Sequence, residues 1–164
     1  MINQQLMGKI LTRLNIPNVG MGINQGIAIP VGISNRHVHL SQQDVDALFG
    51  HGYQITPFKD LKQPGQFAAK ECVMVVGPKG SISKVRVLGP VRPQSQLEIS
   101  KADCFALGIK APVRGSGDLA GSGNAVLMGP AGYVELKQQV ICAQRHIHMN
   151  NIDARALKDR KSVV

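Results

Sequence analysis

The hexapeptide N-R-H-V-H-L, from Asn35 to Leu40, returns as Q-R-H-I-H-M from Gln144 to Met149, and the two copies hold four of the chain's five histidines. On a strand, successive side chains alternate faces. His37 and His39 then share one face with Val38 on the other, and His146 and His148 do the same around Ile147. Paired imidazoles on one face can supply two ligands to a divalent ion, at about 2.0–2.1 Å for zinc. A single such phrase fits a hydrogen-bonded surface strand as well. Two phrases, each preceded by an arginine, favour a metal. Two imidazoles do not complete a tetrahedral site, so a carboxylate or a substrate atom must join them, and an open position makes a site catalytic rather than structural. Glu71, Glu98 and Glu135 are the candidates. Glu98 has apolar neighbours and stands between an arginine-bearing turn and a helix start. Arg92 lies between Val91 and Pro93 at a rigid turn. Its planar fork suits an oxyanion bidentately, although a solvated surface arginine is the plainer reading. Arg36 and Arg145 sit one residue off the histidines, face the other way, and suit carboxylate partners. Cys142 shares the face of His146 but lies two pleats away, which makes it a core residue.

The elements that must position these groups are short. Residues 27–40, I-A-I-P-V-G-I-S-N-R-H-V-H-L, are β-branched and roughly alternating, which predicts strand. Ser41 and Asp44 read as a capping box for a short helix through Leu48, closed by Gly50. C-V-M-V-V-G-P-K-G-S-I-S-K-V-R-V-L-G-P predicts a hairpin around Gly-Pro-Lys-Gly, and A-V-L-M-G-P-A-G-Y-V-E-L repeats the device. Between them Ser100 and Asp103 open another short helix that Gly108 ends. The strand–cap–helix unit from Val31 recurs from Val140. The arginine, both histidines, the cap (Ser41, Asn150), the aspartate three residues after the cap (Asp44, Asp153) and a closing Ala-Leu all align. Two related substructures are the economical explanation.

Residues 1–16 carry an apolar stripe, Ile2, Leu6, Ile10 and Leu14 with Met7 and Leu11 beside it, at helical spacing. Pro17 ends it, and a glycine-rich stretch to residue 26 reads as a linker. Such a helix docks either on its own domain or on another protein. A membrane surface suits it less, because its polar face offers only Lys9 and Arg13.

The totals narrow the class. Across 164 residues the hydrophobic fraction is 43%, aromatics are 4%, and there are 18 glycines and 9 prolines. That composition suits short strands and tight turns. The formal charge of +9 suits an anionic partner. The basic residues are scattered without aromatic stacking partners, which argues against nucleic acid. No apolar run approaches the roughly 20 residues of a membrane span. The three cysteines, Cys72, Cys104 and Cys142, form no C-x-x-C pair and suit a reducing compartment.

Taken together, S-N-R-H-V-H-L-S, L-K-Q-P-G-Q-F-A-A-K-E, V-V-G-P-K-G, K-V-R-V-L-G-P-V-R-P-Q-S-Q-L-E-I-S, K-A-D-C-F-A-L-G-I-K-A-P-V-R-G-S-G-D-L-A-G and V-I-C-A-Q-R-H-I-H-M resemble the PduL-type phosphotransacylases. These are the phosphate propanoyltransferases of bacterial microcompartments, some of which serve propanediol degradation. The likeness covers about residues 29–157. It implies a mainly β fold of two β-barrel domains with short capping helices. The activity implied is the reversible conversion of acyl-CoA (propanoyl-CoA or acetyl-CoA) and phosphate to acyl phosphate and CoA. It implies two zinc ions: His37, His39 and Glu98 as ligands of one, with the CoA sulfur, and His146 and His148 as ligands of the other. Arg92 matches the family's phosphate-binding arginine, and Ser34, Lys59, Arg86 and Leu88 match positions lining the CoA site. The same resemblance implies a homodimer, and an encapsulation role for residues 1–17 that directs the protein into a microcompartment of the bacterial cytoplasm through shell or cargo proteins.

In the family the chain runs on well past the second histidine phrase, and a later histidine completes the second zinc site. Here the sequence stops after A-R-A-L-K-D-R-K-S-V-V. The expectation is therefore a first barrel that is incomplete, made of residues 27–36 and 140–164, and a complete second barrel of residues 37–139. The second zinc site would lack a ligand, and unpaired strand edges would invite association. The alternative function is an inactive truncated relative that binds zinc or CoA, or docks in a shell.

Overall fold

The computed structural model describes residues 34–148 together with Ile152, Arg155 and Lys158. The helix expected over 1–17, the linker over 18–26, the strand before Ser34 and the second cap, Asn150 with Asp153, lie outside the described residues. From Ser34 through Ala143, eight strands and two helices follow in chain order: β1 (His37–His39), α1 (Gln42–Phe49), β2 (Pro57–Asp60), β3 (Phe67–Gly77), β4 (Gly80–Gly89), β5 (Gln96–Glu98), α2 (Lys101–Leu107), β6 (Val113–Arg114), β7 (Gly123–Met128) and β8 (Tyr133–Ala143).

Six of the strands close on themselves. β3 pairs β4, β4 pairs β1 in parallel, β1 pairs β5, β5 pairs β8 in parallel, and β7 joins β8 back to β3. The β2 strand adds to one end of β3, and β6 runs parallel to the end of β8. Closure leaves these six strands with few free edges. Both predicted Gly-Pro hairpins are present, as the β3–β4 and β7–β8 connections.

The alternation predicted for β1 explains the core. Val38 is the lateral neighbour of Val87 on one side and Leu97 on the other, and Leu97 neighbours Val140. All four are fully buried, so this row girdles the barrel interior. Val45 and Leu48 of α1 and Leu107 of α2 join the same cluster, and the helices are held there by their apolar faces.

The caps form with one difference from expectation. The box on α2 is closed: Ser100 Oγ accepts from Asp103 N at 3.1 Å, and Asp103 Oδ2 accepts from Ser100 N at 3.0 Å. On α1, Ser41 Oγ accepts from Asp44 N at 3.2 Å, but the reciprocal bond does not form directly. Ser41 N donates instead to Ser95 Oγ at 2.8 Å, and Ser95 Oγ donates to Asp44 Oδ2. A hydroxyl from the loop before β5 has entered the box, so this cap ties α1 to that strand.

Two further boundaries differ. The β8 strand passes without a break through the junction expected at 139/140: Val140 and Ile141 pair Leu97 and Glu98 inside this barrel. It then ends at Ala143, so the second histidine phrase is not strand, and Ile147 is exposed rather than buried. The last ladder-like bond runs from Gln144 N to Arg114 O, at 2.8 Å. Beyond it no strand pairs the phrase among the described residues.

Candidate metal and anion site

The first histidine phrase is a three-residue strand held between β4 and β5. His37 lies between Arg86 and Glu98, and His39 between Leu88 and Gln96. Lateral neighbours in a sheet share a face, so register alone brings Glu98 and Gln96 to the histidines. One ligand atom from each of His37, His39 and Glu98 falls within 4.8 Å of the others. His39 is 3% exposed and Glu98 is 7% exposed. The other two carboxylates weighed from sequence are engaged elsewhere. Glu71 accepts from Tyr53 Oη and Thr56 N, each at 2.9 Å, and Glu135 pairs with Lys137 at the surface.

The residues fit a metal ion. His37 Nδ1 lies 2.9 Å from Asn35 O. A carbonyl only accepts, so the neutral ring carries its proton on Nδ1 and turns the Nε2 lone pair inward. That lone pair faces Glu98 Oε2 at 3.4 Å, leaving two acceptors opposed unless a cation lies between them. His39 Nδ1 is buried with no hydrogen-bond partner, which carries a desolvation cost that a metal would remove. Burial, then the Arg92 charge and the neighbouring His37 ring, push the His39 imidazolium down to about 3, against an opposing pull from the Leu88 backbone. The ring is therefore a neutral lone-pair donor at any ordinary pH.

The second phrase repeats the first in one respect. His146 Nδ1 lies 2.6 Å from Gln144 O, also two residues back, and His146 Nε2 meets His148 Nε2 at 2.9 Å. Burial and the neighbouring His146 lower the basicity of His148, while the Glu98 charge opposes them. The Glu98 field thus acts on both phrases.

Arg92 joins this site. Its backbone N donates to Leu40 O at 2.8 Å, pinning the turn to the end of β1. Burial lowers its guanidinium below the ordinary range, and the Glu98 charge opposes that. Arg36 turns away, to Asp103 at 2.7 Å, the carboxylate partner that its position on the other face calls for. The four residues matched to a CoA site fall into two groups. Lys59, Leu88 and His39 lie on one lateral row through Ala68, and Arg86 lies on the row of His37. Arg86 is braced by Ala69 O and Lys70 O, at 2.9 and 2.8 Å. Ser34 is exposed at the mouth of an open cleft of about 840 Å³ beside Glu98, whose wall includes Arg36, Lys101 and Arg145.

Gln96 escaped the sequence reading. It is 2% exposed, and its Nε2 donates to Glu98 Oε1 at 2.6 Å. The signal was there: it stands two residues before Glu98 and so on the same strand face. Ser116 and Gly117, which also bond Gln96, come from a loop twenty residues on, and no local pattern indicates them.

A family model described as phosphate propanoyltransferase matches residues 30–164. Similar curated relatives carry the same name. The chain is 56% identical over 137 residues to one from Thermotoga maritima, covering 82% of this chain and 65% of that one. It is 53% identical over 154 residues to one from Rhodobacter capsulatus, covering 94% and 72%. It is 52% identical over 130 residues to one from Salmonella typhimurium, covering 79% and 61%. The chain thus spans about two thirds of the length of these relatives.

Proposed function

Because the chain belongs to the phosphate propanoyltransferase family, we propose that it moves an acyl group between coenzyme A and inorganic phosphate, reversibly, at the His37–His39–Glu98 site. The single observation that carries the reading is the convergence of one ligand atom each from His37, the buried His39 and the buried Glu98 within 4.8 Å. An arginine whose charge acts on the same groups stands beside them.

Two histidines and a carboxylate suit zinc, with the fourth position left for substrate. His146 and His148 are the proposed ligands of a second ion. When bound, zinc supplies Lewis-acid stabilisation to the charge that develops on sulfur and on the carbonyl oxygen. The chain's own residues do the rest. Arg92 presents two parallel N–H groups to a phosphate, and its partial burial strengthens that attraction. A phosphate oxygen attacks the thioester carbonyl carbon; the new C–O bond forms, the C–S bond breaks, and the thiolate leaves with the electron pair. Lys59 and Arg86 offer cations to the phosphates of CoA, Leu88 an apolar contact to its tail, and Ser34 a hydroxyl. Holding both reactants together replaces a bimolecular encounter with a nearly unimolecular step.

We also propose that residues 1–17 dock this enzyme to a microcompartment component in the bacterial cytoplasm. The support is their apolar stripe and the glycine-rich tether behind it.

The test is zinc content per chain together with phosphate-dependent release of thiol from propanoyl-CoA. The parent should turn over, His39→Ala should lose both zinc and turnover, and Arg92→Ala should keep zinc and lose turnover. Full turnover by both variants would remove these residues from the reaction. Zinc uptake by a parent that releases no thiol would favour the alternative of a zinc-binding docking protein.

A further inference from the structure

Ser116 stands in R-G-S-G-D, residues 114–118. Asp118 N donates to Gly115 O at 3.1 Å, and Arg114 and Asp118 form an ion pair at 2.9 Å across the ends. The segment is a β-turn with Ser116 and Gly117 at its centre. Gly117 has φ of +88°, the left-handed value that the second central position of a type II turn demands. The turn therefore fixes the local backbone that carries Ser116.

The hydrogen bonds around Ser116 can be directed by elimination. Gly117 N only donates, and it lies 2.7 Å from the Gln96 amide, so that atom is the oxygen, Oε1. The amide nitrogen then faces the other way. One of its protons goes to Glu98 Oε1 at 2.6 Å and the other to Ser116 Oγ at 2.8 Å. Arg92 Nη1, which also only donates, approaches the same Oγ at 3.5 Å. Ser116 Oγ thus accepts from two sides, and its own proton has no acceptor among the described residues. Ser116 is an exposed residue, so that proton is available to a ligand.

We infer that Ser116 binds the phosphate: its hydroxyl donates to the same oxyanion that Arg92 holds, and Gln96 is the positioning residue that aims it. The inference rests on the acyl-transfer reading above and names a further contact in that site. Its geometry has a consequence for Gln96. One buried amide fixes both the carboxylate proposed for the metal and the hydroxyl proposed for the anion, so loosening it disturbs two ligands together. Ser116 touches only the second.

Phosphate binding is therefore measured directly, by calorimetric titration of inorganic phosphate into the zinc-loaded chain. Zinc retention against a chelator, melting temperature and phosphate-dependent thiol release are followed in parallel. A hydrogen bond to a charged acceptor corresponds to roughly tenfold or more in affinity. Ser116→Ala should weaken phosphate by about that factor with zinc retention unchanged, while melting falls modestly because the buried Gln96 Nε2 loses an acceptor, and Ser116→Thr should restore phosphate binding. Gln96→Met should weaken phosphate and zinc together. A Ser116→Ala variant that binds phosphate as the parent does, while Arg92→Ala binds it less well, overturns this inference and leaves the acyl-transfer reading standing. A parent that neither binds phosphate nor releases thiol removes both.

Discussion

At His39, burial and then the Arg92 charge oppose protonation, and the consequence for stability has a definite sign. The folded ring titrates near 3, and an unfolded histidine near about 6.5. Between those values the unfolded chain binds the proton and the folded chain does not. Stability is therefore fully present above pH 6.5 and is lost as pH falls toward 3, by up to about 1.4 kcal/mol per pH unit. Urea midpoints of the metal-free protein at pH 7.5, 5.5 and 4.5 should fall progressively, and His39→Gln should flatten that slope. Parallel slopes in the two proteins would remove burial of this ring as the cause. Cys142 is the matching case among the thiols. Burial, then its contact with Cys104 at 3.4 Å, pushes it up to about 11, which keeps it a thiol at neutral pH and suits the core position read from sequence.

At the scale of the element, the sequence named both helix caps, and the structure shows that they act differently. The α2 box is local and also holds Asp103 for Arg36, next to His37 in the chain. The α1 box is completed by Ser95, whose neighbour Gln96 lies beside His39. The cap of α1 and the floor of the site are therefore one construction. Ser95→Ala leaves Ser41 N and Asp44 without their shared partner, and should cost about 1–3 kcal/mol. Ser41→Ala should cost about 1 kcal/mol. Because the two serines serve the same cap, the double variant should cost less than the sum of the two. Additive losses in a denaturation series would mean that the hydroxyl relay is not a unit.

At the scale of the molecule, the site is a property of barrel closure. Val87, Val38, Leu97 and Val140 fill one girdle, and the lateral neighbours on the opposite face are Arg86, His37 and Glu98. Leu97→Ala removes a fully buried side chain and should cost about 2–5 kcal/mol. It also lies between Gln96 and Glu98 on β5, so its zinc affinity should fall with its melting temperature. A variant that melts lower yet holds zinc as tightly as the parent would show that the strand keeps its register without the girdle.

What was legible in the sequence was local. A period of two put both histidines of β1 on one face and Val38 in the core, because alternation is fixed by the backbone of each strand. Caps and Gly-Pro turns were readable for the same reason, as each is decided within four residues. The likeness to phosphate propanoyltransferases was legible because its motifs lie in short contiguous runs. Spacing left three glutamates open and the family likeness named Glu98; tertiary structure supplied the reason, since β5 lies beside β1 in one register. It decided that Ser95 enters the α1 cap and that β8 continues through residue 140, where β5 supplies a partner. It also carried Ser116 to Gln96 from twenty residues away, because a turn can be read from its own residues but its place against the barrel is set by closure of the whole sheet.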